Sequence, residues 1–286
     1  MSNERIFITG SGGQLGKALA EKYPDATAVD RSMLDISDAE QLEAVDWGNY
    51  DVILNAAAYV NADDSETVGG RETTWKSNAI GPRNLAAIAL KHDVHLVHVS
   101  SEYVFDGTRE NHREDEPFTP LSVYGQAKAA GDIAVSLAPK FHTLRTSWVV
   151  GDGHNFVKTM KRLGDMRIDP AVVDDQFGRL TFTSELVRAV DFILENNIEN
   201  GTYNISNAGK IRSWAEIAAL TFELAGHDPS RVKRVSTAEY MSGKTTFAPR
   251  PTNSDLDLSK IQRTGFESVD YEPLMEEYIQ SLGTIE

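Results

Sequence analysis

Short apolar runs alternate with helix-like segments through the first half of this chain, and this alternation constrains the fold more than any other feature. The apolar runs lie at residues 6–9, 52–56 and 96–100, and segments with helical spacing lie between them at 15–22 and 79–90. Buried strands of a parallel sheet are continuous apolar runs, and the helices that connect them pack on both faces of the sheet. The pattern therefore predicts an α/β fold with a doubly wound parallel sheet.

The second half is less regular and predicts a smaller lobe. The apolar patterns predict, in chain order, a strand at 142–146, helices at 156–163 and 185–194, a strand at 201–205 and a helix at 214–224. Residues 236–254 are rich in small and polar side chains and contain two prolines, which favours a loop. We predict a dinucleotide-binding domain over residues 1–150, to which a segment near 172–205 returns, and a mainly substrate-binding lobe over residues 151–286.

Charge and composition argue against several classes of function. The chain has 286 residues, no cysteine and a formal net charge of −15. Nucleic acids and anionic membranes bind positive faces, so neither is an expected partner. A chain without cysteine forms no disulfide and no thiolate metal site. The first residues show no signal-peptide pattern, and no apolar run is long enough to span a bilayer, so we expect a cytoplasmic protein.

A glycine cluster follows the first apolar run. Residues 9–16 read Thr-Gly-Ser-Gly-Gly-Gln-Leu-Gly, which gives the spacing G-x-x-G-x-x-G. The dinucleotide fingerprint G-x-G-x-x-G is not matched, because a leucine stands where its third glycine belongs. A glycine-rich turn between a strand and a helix still lets the backbone approach a pyrophosphate, and the helix N-terminus supplies N–H groups. We predict a cofactor-binding loop made of Gly10, Gly13, Gln14, Leu15 and Gly16.

Two charged residues come shortly after this loop. Asp30 lies twenty residues after Gly10, where an acid can accept hydrogen bonds from the hydroxyls of the adenosine ribose. Arg31 follows directly, and an arginine there pairs with a 2′-phosphate. The two residues therefore favour opposite cofactors, and we expect both NADH and NADPH to be accepted. The alternatives are that Asp30 only caps a strand end and that Arg31 points into solvent.

A tyrosine and a lysine lie four residues apart at the start of a helix-like stretch. Tyr124 and Lys128 therefore share one helix face. A nearby ammonium stabilises phenolate, which makes the tyrosine a better acid for a carbonyl that becomes an alkoxide. Ser100 and Ser101 end the third apolar run, at the sheet edge where doubly wound folds bind ligands. A serine hydroxyl there can donate to the same carbonyl oxygen. Together these residues predict a nicotinamide-dependent carbonyl reductase.

Further motifs extend this pattern over nearly the whole chain. They are GQLG at 13–16, NAAAY at 55–59, SSEYVFDG at 100–107, VYGQAK at 123–128, RTSWV at 145–149, NF at 155–156, DQFG at 175–178 and RPTNS at 250–254. The chain thereby resembles extended short-chain dehydrogenases and, among them, the dTDP-4-dehydrorhamnose reductases. The resemblance implies a Rossmann-type domain with a smaller C-terminal substrate-binding lobe. It also implies NAD(P)H-dependent reduction of the C4 carbonyl of dTDP-4-dehydro-β-L-rhamnose.

The resemblance implies roles for the matching residues. Ser101 takes the place of the catalytic serine or threonine, Tyr124 that of the proton donor, and Lys128 that of the residue that holds the nicotinamide ribose and tunes the tyrosine. Asn78 matches the helix asparagine that often completes this set. Further cofactor-binding residues are Asp35 and Ile36, at the adenine, and Ala56, Ala57 and Ala58. Substrate-binding residues are Tyr103, Trp148, Asn155 and Arg250. For Trp148 a core aromatic, and for Arg250 a surface charge, are the alternatives.

The chain departs from the usual family pattern at several positions. Ser101 and Glu102 replace threonine and aspartate, which keeps the chemistry. Asp64 stands where a lysine is often found and Leu180 where proline is usual, and both changes concern the substrate pocket. Some members carry a glutamate after the glycine loop for a magnesium-bridged dimer. Here Lys17 follows the loop, so no such metal is expected, and a homodimer of another kind is left open.

Two other functions remain as alternatives at this point. Another nucleotide-sugar enzyme of the same fold, such as a C4 epimerase, would keep its cofactor bound and would not consume NAD(P)H. A binding protein like the regulatory β subunit of methionine adenosyltransferase would not be an enzyme at all. The intact set of Ser101, Tyr124 and Lys128 argues against the second alternative.

Overall fold

The computed structural model describes residues 5–243 and 245–283. Within these ranges the strands are β1 (Ile6–Thr9), β2 (Thr27–Val29), β3 (Val52–Asn55), β4 (His95–Ser101), β5 (Phe141–Thr146), β6 (Val149–Val150), β7 (Ala171–Val173), β8 (Phe177–Gly178), β9 (Thr181–Phe182), β10 (Gly201–Asn204), β11 (Arg212–Ser213) and β12 (Lys233–Val235). The α-helices are α1 (Gln14–Lys22), α2 (Ala39–Glu43), α3 (Ala62–Ser65), α4 (Val68–Trp75), α5 (Gly81–His92), α6 (Val123–Val135), α7 (Phe156–Asp165), α8 (Thr183–Glu195), α9 (Trp214–Leu224), α10 (Thr237–Met241), α11 (Ser259–Gln262) and α12 (Tyr271–Ser281).

A six-stranded parallel sheet forms the centre of the molecule. Its order is β2-β1-β3-β4-β5-β10, and each neighbouring pair is parallel. The chain reverses its direction of winding between β1 and β3, and in open α/β sheets ligands bind at the carboxyl ends of the strands at such a point. The predicted Rossmann-type doubly wound sheet is confirmed.

Helices cover both faces of this sheet because alternate residues of each strand point to opposite faces. Ile6 and Ile8 of β1 pack with α1 and α8 in one apolar core. Phe7 of β1 lies in a second core, with α5 and the buried indole of Trp47. Near-complete burial on both sides explains why the strands are continuous apolar runs rather than alternating ones.

The central sheet and the core on one of its faces are completed by later parts of the chain. Strand β10 pairs with β5, and α8 packs with α1 in the core on one sheet face. Residues Leu256 and Phe266 belong to that same core. We therefore keep a division near residue 150 as a proposal in which α8, β10 and the 256–266 segment belong to the first domain.

The second lobe is built from small sheets and helices. Three two-stranded sheets pair β11 with β8, β12 with β7 and β6 with β9. The apolar cores below them draw on α7, α9 and α12, with Phe222, Tyr271 and Met275 fully buried. This lobe presents its loops toward the carboxyl edge of the main sheet, as the hydrogen bond from Gly151 N to Gln14 Oε1 on α1 shows (2.8 Å).

Two local predictions need correction. The 236–254 stretch is not all loop, because α10 forms within it; Ser236 and Glu239 make a reciprocal capping box that stabilises its first turn. The helix predicted at 79–90 is part of a longer helical stretch, in which a π-helical segment, Lys76–Ile80, joins α4 to α5. No helix within the described ranges is long and apolar enough to cross a membrane.

Candidate active site

The glycine loop lies between β1 and α1, as the sequence predicts. Gly10 has φ +76°, and a Cβ there would lie 2.6 Å from the backbone of Ala57, so only glycine fits the turn. Gly13 is the N-cap of α1, and no side chain caps this helix. The first N–H groups of a helix lack intrahelical partners and attract anions. The loop therefore has the backbone that a diphosphate requires.

The other loop residues support this backbone rather than project from it. Leu15 and Gly16 are buried on the inner face of α1. The side chain of Gln14 turns to the second lobe, where its Oε1 accepts a hydrogen bond from Gly151 N. These three residues can therefore contact a cofactor through their backbone groups.

A cavity of about 450 Å³ opens beside the glycine loop at the sheet edge. Its lining contains most of the predicted cofactor-binding residues together with some that the sequence did not indicate. The lining residues are Gly10, Gly12, Gly13, Asp30, Arg31, Ser32, Leu34, Asp35, Ile36, Ala56, Ala57, Ala58, Tyr59 and Ser77. Leu34 and Ile36 provide apolar surface for an adenine ring. The size and polarity of this cavity fit the adenosine half of a dinucleotide.

The carboxylate of Asp30 is already hydrogen-bonded within its own turn. Its Oδ1 accepts from the Ser32 hydroxyl (2.6 Å) and from the backbone N–H of Ser32 and Met33, and these bonds lower the pKa of Asp30. Arg31 is largely exposed and pairs with Asp35 at 3.4 Å. Both charges thus lie at the mouth of the cavity, and each has a protein partner with which a cofactor would compete.

Replacement of Arg31 by alanine is expected to shift cofactor preference toward NADH by up to about fivefold, since exposed ion pairs contribute about 1 kcal/mol or less. The parent should accept both cofactors, with a preference within roughly tenfold. The measurement is kcat/KM for NADH and NADPH in both proteins. Arg113→Ala, which removes an exposed arginine paired with Asp115 outside this cavity, is the matched control. A parent that discriminates by about a hundredfold, or an unchanged preference in Arg31→Ala, would contradict this balance.

Helix α6 carries Tyr124 and Lys128 to the carboxyl edge of the sheet. Ser122 caps the helix through Gly125 N (3.2 Å), and Glu66 Oε1 accepts from Val123 N (2.8 Å). A Cβ on Gly125 would lie 2.2 Å from the carbonyl oxygen of Tyr103. Glycine therefore allows α6 to approach the segment after β4.

Lys128 is buried one turn after Tyr124. Its Nζ donates to the carbonyl oxygen of Val99 on β4 (2.7 Å). Burial lowers the pKa of Lys128 to about 8, and the nearby charge of Asp132 opposes that change. Asp132 also holds α6 against β5 through a buried ion pair with Arg145 (2.9 Å). Lys128 is thus fixed beside the sheet edge with an amine that can change protonation near neutral pH.

Ser101 and Tyr124 meet at the end of β4. The Ser101 hydroxyl lies near enough to the Tyr124 phenol to influence its pKa, and the Tyr124 ring packs edge-on against Tyr103 with centroids 5.3 Å apart. We expected Lys128 to lower the pKa of Tyr124. Instead burial raises that pKa, the negative charge of Glu102 raises it further, and Ser101 only partly opposes these two effects. The expectation is wrong, because the phenol is buried and a negative charge acts on it.

Asn78 lies in the π-helical segment and is fully buried. Its Nδ2 donates to Tyr59 O (2.9 Å), and its Oδ1 accepts from Tyr59 N (2.8 Å). Both amide groups are thus used to hold the backbone of a residue that lines the cofactor cavity. We propose that Asn78 is a positioning residue in place of the catalytic role that the resemblance implies.

Tyr103 and Arg250 form one polar cluster at the mouth of the site. Arg250 pairs with Asp63 of α3 at 2.9 Å, and its positive charge acts on the Tyr103 phenol, whose pKa burial raises. Ala248 N also donates to Asp63 Oδ1 (3.0 Å). The segment that carries Arg250 is therefore held over the first domain, so the surface-charge alternative for Arg250 does not describe its environment.

Trp148 and Asn155 have different environments. The Trp148 ring stacks on Trp214 with centroids 3.6 Å apart, and its backbone has φ 46°, a conformation uncommon outside glycine. Asn155 caps α7 through Lys158 N, and its Nδ2 donates to Gly151 O and to the Tyr278 hydroxyl. The amide of Asn155 thus helps to hold the second lobe together, and the substrate contact that the resemblance implies stays a prediction.

Comparison with known proteins places this site in a family. A family model described as the RmlD substrate binding domain matches residues 4–284. A dTDP-4-dehydrorhamnose reductase of Aggregatibacter actinomycetemcomitans is 36% identical, covering 94% of this chain and 96% of that protein. A dTDP-4-dehydrorhamnose reductase of Mycolicibacterium smegmatis is 37% identical, and the match covers 92% of this chain and 80% of that protein. The crystal structure of a dTDP-4-dehydrorhamnose reductase from Bacillus anthracis in complex with NADP superimposes with a TM-score of 0.88 at 34% identity, covering 97% of this chain and 99% of that one.

The chain belongs to the dTDP-4-dehydrorhamnose reductase family.

Two positions that depart from the usual pattern of the dTDP-4-dehydrorhamnose reductase family, Asp64 and Leu180, have different surroundings. Asp64 Oδ2 accepts from the Tyr59 hydroxyl (2.6 Å) at the cofactor cavity. Leu180 is completely buried in the core of the second lobe and does not line the cavity. Within the described residues no group of three or more His, Cys, Asp or Glu side chains is arranged to hold a metal ion.

The sequence pattern of the family did not indicate the importance of two residues of the site. Glu102 was noted only as a replacement for aspartate, although it is buried against Ser101. Ser32 was not singled out, although it lines the cofactor cavity and organises the Asp30 carboxylate. A signal for Ser32 was available, because aspartate two residues before serine is typical of a side-chain-stabilised turn.

Proposed function

We propose that this protein uses NADPH or NADH to reduce the C4 carbonyl of dTDP-4-dehydro-β-L-rhamnose, which yields dTDP-β-L-rhamnose for cell-surface polysaccharide synthesis. The observation that carries the proposal is the meeting of Ser101, Tyr124 and Lys128 at the sheet edge beside the glycine loop. The relatives named dTDP-4-dehydrorhamnose reductase support the choice of substrate, and the neighbour in complex with NADP supports the choice of cofactor.

The residues of the chain fit the cofactor, and different residues would hold its different parts. The N-terminus of α1 and the turn at Gly10 would hold the diphosphate, and Asp30 with Arg31 would face the adenosine ribose. Lys128 would contact the nicotinamide ribose from α6. The bound cofactor supplies the hydride that reduces the carbonyl carbon.

The catalytic side chains then complete the reduction. Ser101 hydrogen-bonds the carbonyl oxygen and stabilises the charge that develops there. Tyr124 transfers its phenolic proton to that oxygen, so the product leaves as a neutral alcohol. Lys128, when protonated, stabilises the phenolate that remains. The raised pKa of Tyr124 ensures that the proton is present before substrate binds.

Tyr103, Arg250 and Trp148 would face the nucleotide sugar. Arg250 is the cation of the polar cluster at the mouth of the site, and the substrate is an anionic diphosphate. Trp148 offers an aromatic face beside Gly178, where an added Cβ would lie 2.9 Å from the indole. The strongly acidic chain thus presents a cation where the substrate needs one.

A cytoplasmic location completes the proposal. A chain without cysteine suits a reducing compartment, in which disulfides do not persist. The net charge of −15 supports small anionic ligands held by local cations, rather than nucleic acid or membrane, as partners.

The test is to incubate the purified protein with NADPH or NADH and a panel of dTDP-4-keto sugars and to follow the loss of nicotinamide absorbance. We expect stoichiometric oxidation of the cofactor with dTDP-4-dehydro-β-L-rhamnose and formation of the alcohol. Conversion of sugar without net NAD(P)H consumption would instead indicate an epimerase. Binding of cofactor without any turnover across the panel would favour the regulatory binding protein.

A further inference from the structure

A buried carboxyl group lies directly against the catalytic serine. Glu102 is only 3% exposed, and its Oε2 lies 2.8 Å from Ser101 Oγ, which donates to it. Ser101 Oγ also accepts from Tyr103 N at 3.2 Å. A serine hydroxyl has a single proton to donate. With Glu102 ionised, that proton is therefore directed to the carboxylate and not toward a substrate.

Glu102 also acts on Tyr124. The negative charge of an ionised Glu102 raises the pKa of Tyr124, whereas a hydrogen bond donated by Ser101 to the phenol oxygen lowers it. While the Ser101 proton is directed to Glu102, it is not available to the phenol oxygen. An ionised Glu102 therefore makes Tyr124 a weaker acid.

Protonation of Glu102 reverses this arrangement. A neutral carboxyl group has an O–H that can donate to Ser101 Oγ. Ser101 can then turn its own proton to the substrate oxygen. The negative charge that raises the pKa of Tyr124 also disappears, which makes the phenol a better acid.

We propose that Glu102 is a positioning residue that must be protonated for Ser101 to donate to the carbonyl oxygen of the substrate. The inference rests on the proposed function, since it assigns a role within that reduction. The need for a protonated Glu102 makes the reductase more active at pH values below the pKa of this carboxyl group than at pH values above it.

The surroundings of Glu102 favour the neutral form near neutral pH. Burial raises its pKa to about 7, and hydrogen bonds from Ser101 and Ser254 offset only part of that effect. The titratable groups that face it are Tyr124 on α6 and Tyr103 on its own segment. Beyond Tyr103 lies the ion pair of Arg250 and Asp63. Its two charges act on the pKa of Tyr103 in opposite directions, since Arg250 lowers that pKa and Asp63 raises it.

The test compares pH profiles of the parent and Glu102→Gln. Glutamine carries no charge at any pH, and its amide N–H can donate to Ser101 as the protonated acid would. In the parent, kcat/KM should fall about tenfold per pH unit once Glu102 ionises, while the fall caused by Lys128 begins about one unit later. When each kcat/KM is divided by its own value at pH 6, Glu102→Gln should therefore be about tenfold more active than the parent at pH 8.

Two further variants separate this role from a structural one. Glu185, on α8 and paired with Arg188, is another buried carboxyl group whose pKa is raised by burial. The variant Glu185→Gln should keep the pH profile of the parent. Ser101→Ala removes the group through which Glu102 acts. Its residual activity should show a shallower fall near pH 7 than the parent, because only the charge of Glu102 then acts on Tyr124. This readout does not depend on whether Glu102→Gln folds. A residual Ser101→Ala profile identical in shape to that of the parent would overturn the proposal.

A measurement without turnover distinguishes this inference from the proposed function. Infrared difference spectra over pH 5–9, about two units on either side of the Glu102 pKa, should show a protonated carboxyl band that titrates near pH 7 in the parent and is absent in Glu102→Gln. A Glu102 ionised throughout that range overturns the inference, whichever sugar the enzyme reduces. Absence of NAD(P)H oxidation with every sugar, with the titrating band present, overturns the proposed function alone.

Discussion

Replacement of Tyr124 by phenylalanine is expected to lower kcat by about 10²–10⁴-fold while cofactor affinity stays nearly unchanged. The phenolic hydroxyl is the proton donor in the proposed reduction. The ring, which packs against Tyr103 with centroids 5.3 Å apart, remains in the variant. Steady-state oxidation of NADPH measures the rate, and quenching of protein fluorescence by NADPH measures the affinity.

A second tyrosine provides the control. Tyr50→Phe removes a part-buried hydroxyl that donates to Thr27 in the first domain, away from the sheet edge that binds substrate. It should leave the rate unchanged. Normal turnover by Tyr124→Phe would show that another group supplies the proton, and a large loss of cofactor affinity would show that the ring had moved.

Replacement of Lys128 by methionine is expected to damage both binding and rate. Methionine fills the buried space but loses an amine that donates to Val99 O and, in our proposal, to the nicotinamide ribose. A charged hydrogen bond contributes about 1.5–3 kcal/mol, so the dissociation constant for NADPH should rise about tenfold to a hundredfold. The rate should fall as well, because nothing then stabilises the Tyr124 phenolate.

A buried lysine outside the site separates this effect from a general loss of stability. Lys161→Met removes an amine that pairs with Asp165 on α7, also in a buried position. It should lower the melting temperature without a change in cofactor affinity. A Lys128→Met variant with intact affinity and a reduced rate would refute the ribose contact, while the effect on Tyr124 would stand.

The parts of the site that sequence could predict are those set by local chemistry. A strand, a glycine turn and an uncapped helix are adjacent in the chain, so the spacing around Gly10 and Gly13 predicts their geometry. Tyr124 and Lys128 share a face because both lie on one helix. In each case the residues that act together lie within one element or one turn.

The parts that sequence could not predict depend on distant partners. Asn155 matches a family position, but its amide is occupied by Gly151 and by Tyr278, a residue 123 positions later. The raised pKa of Tyr124 follows from burial and from Glu102, on another element. A family resemblance tells which residue type stands at a position. Which hydrogen-bonding groups of that residue remain free for a ligand depends on its partners in the folded chain.

The late completion of the central sheet has a consequence for how this protein can be made. Strand β5 pairs with β10, and α1 packs against α8, so a nascent chain ending near residue 150 has an open strand edge and an uncovered apolar helix face. Exposed edges and apolar faces promote aggregation. The central sheet cannot be completed before residue 204 has been synthesised, and the core on one of its faces is complete only with Phe266. Chaperone protection during translation would therefore matter for most of the chain, and an expression fragment that ends at the apparent lobe boundary should be insoluble.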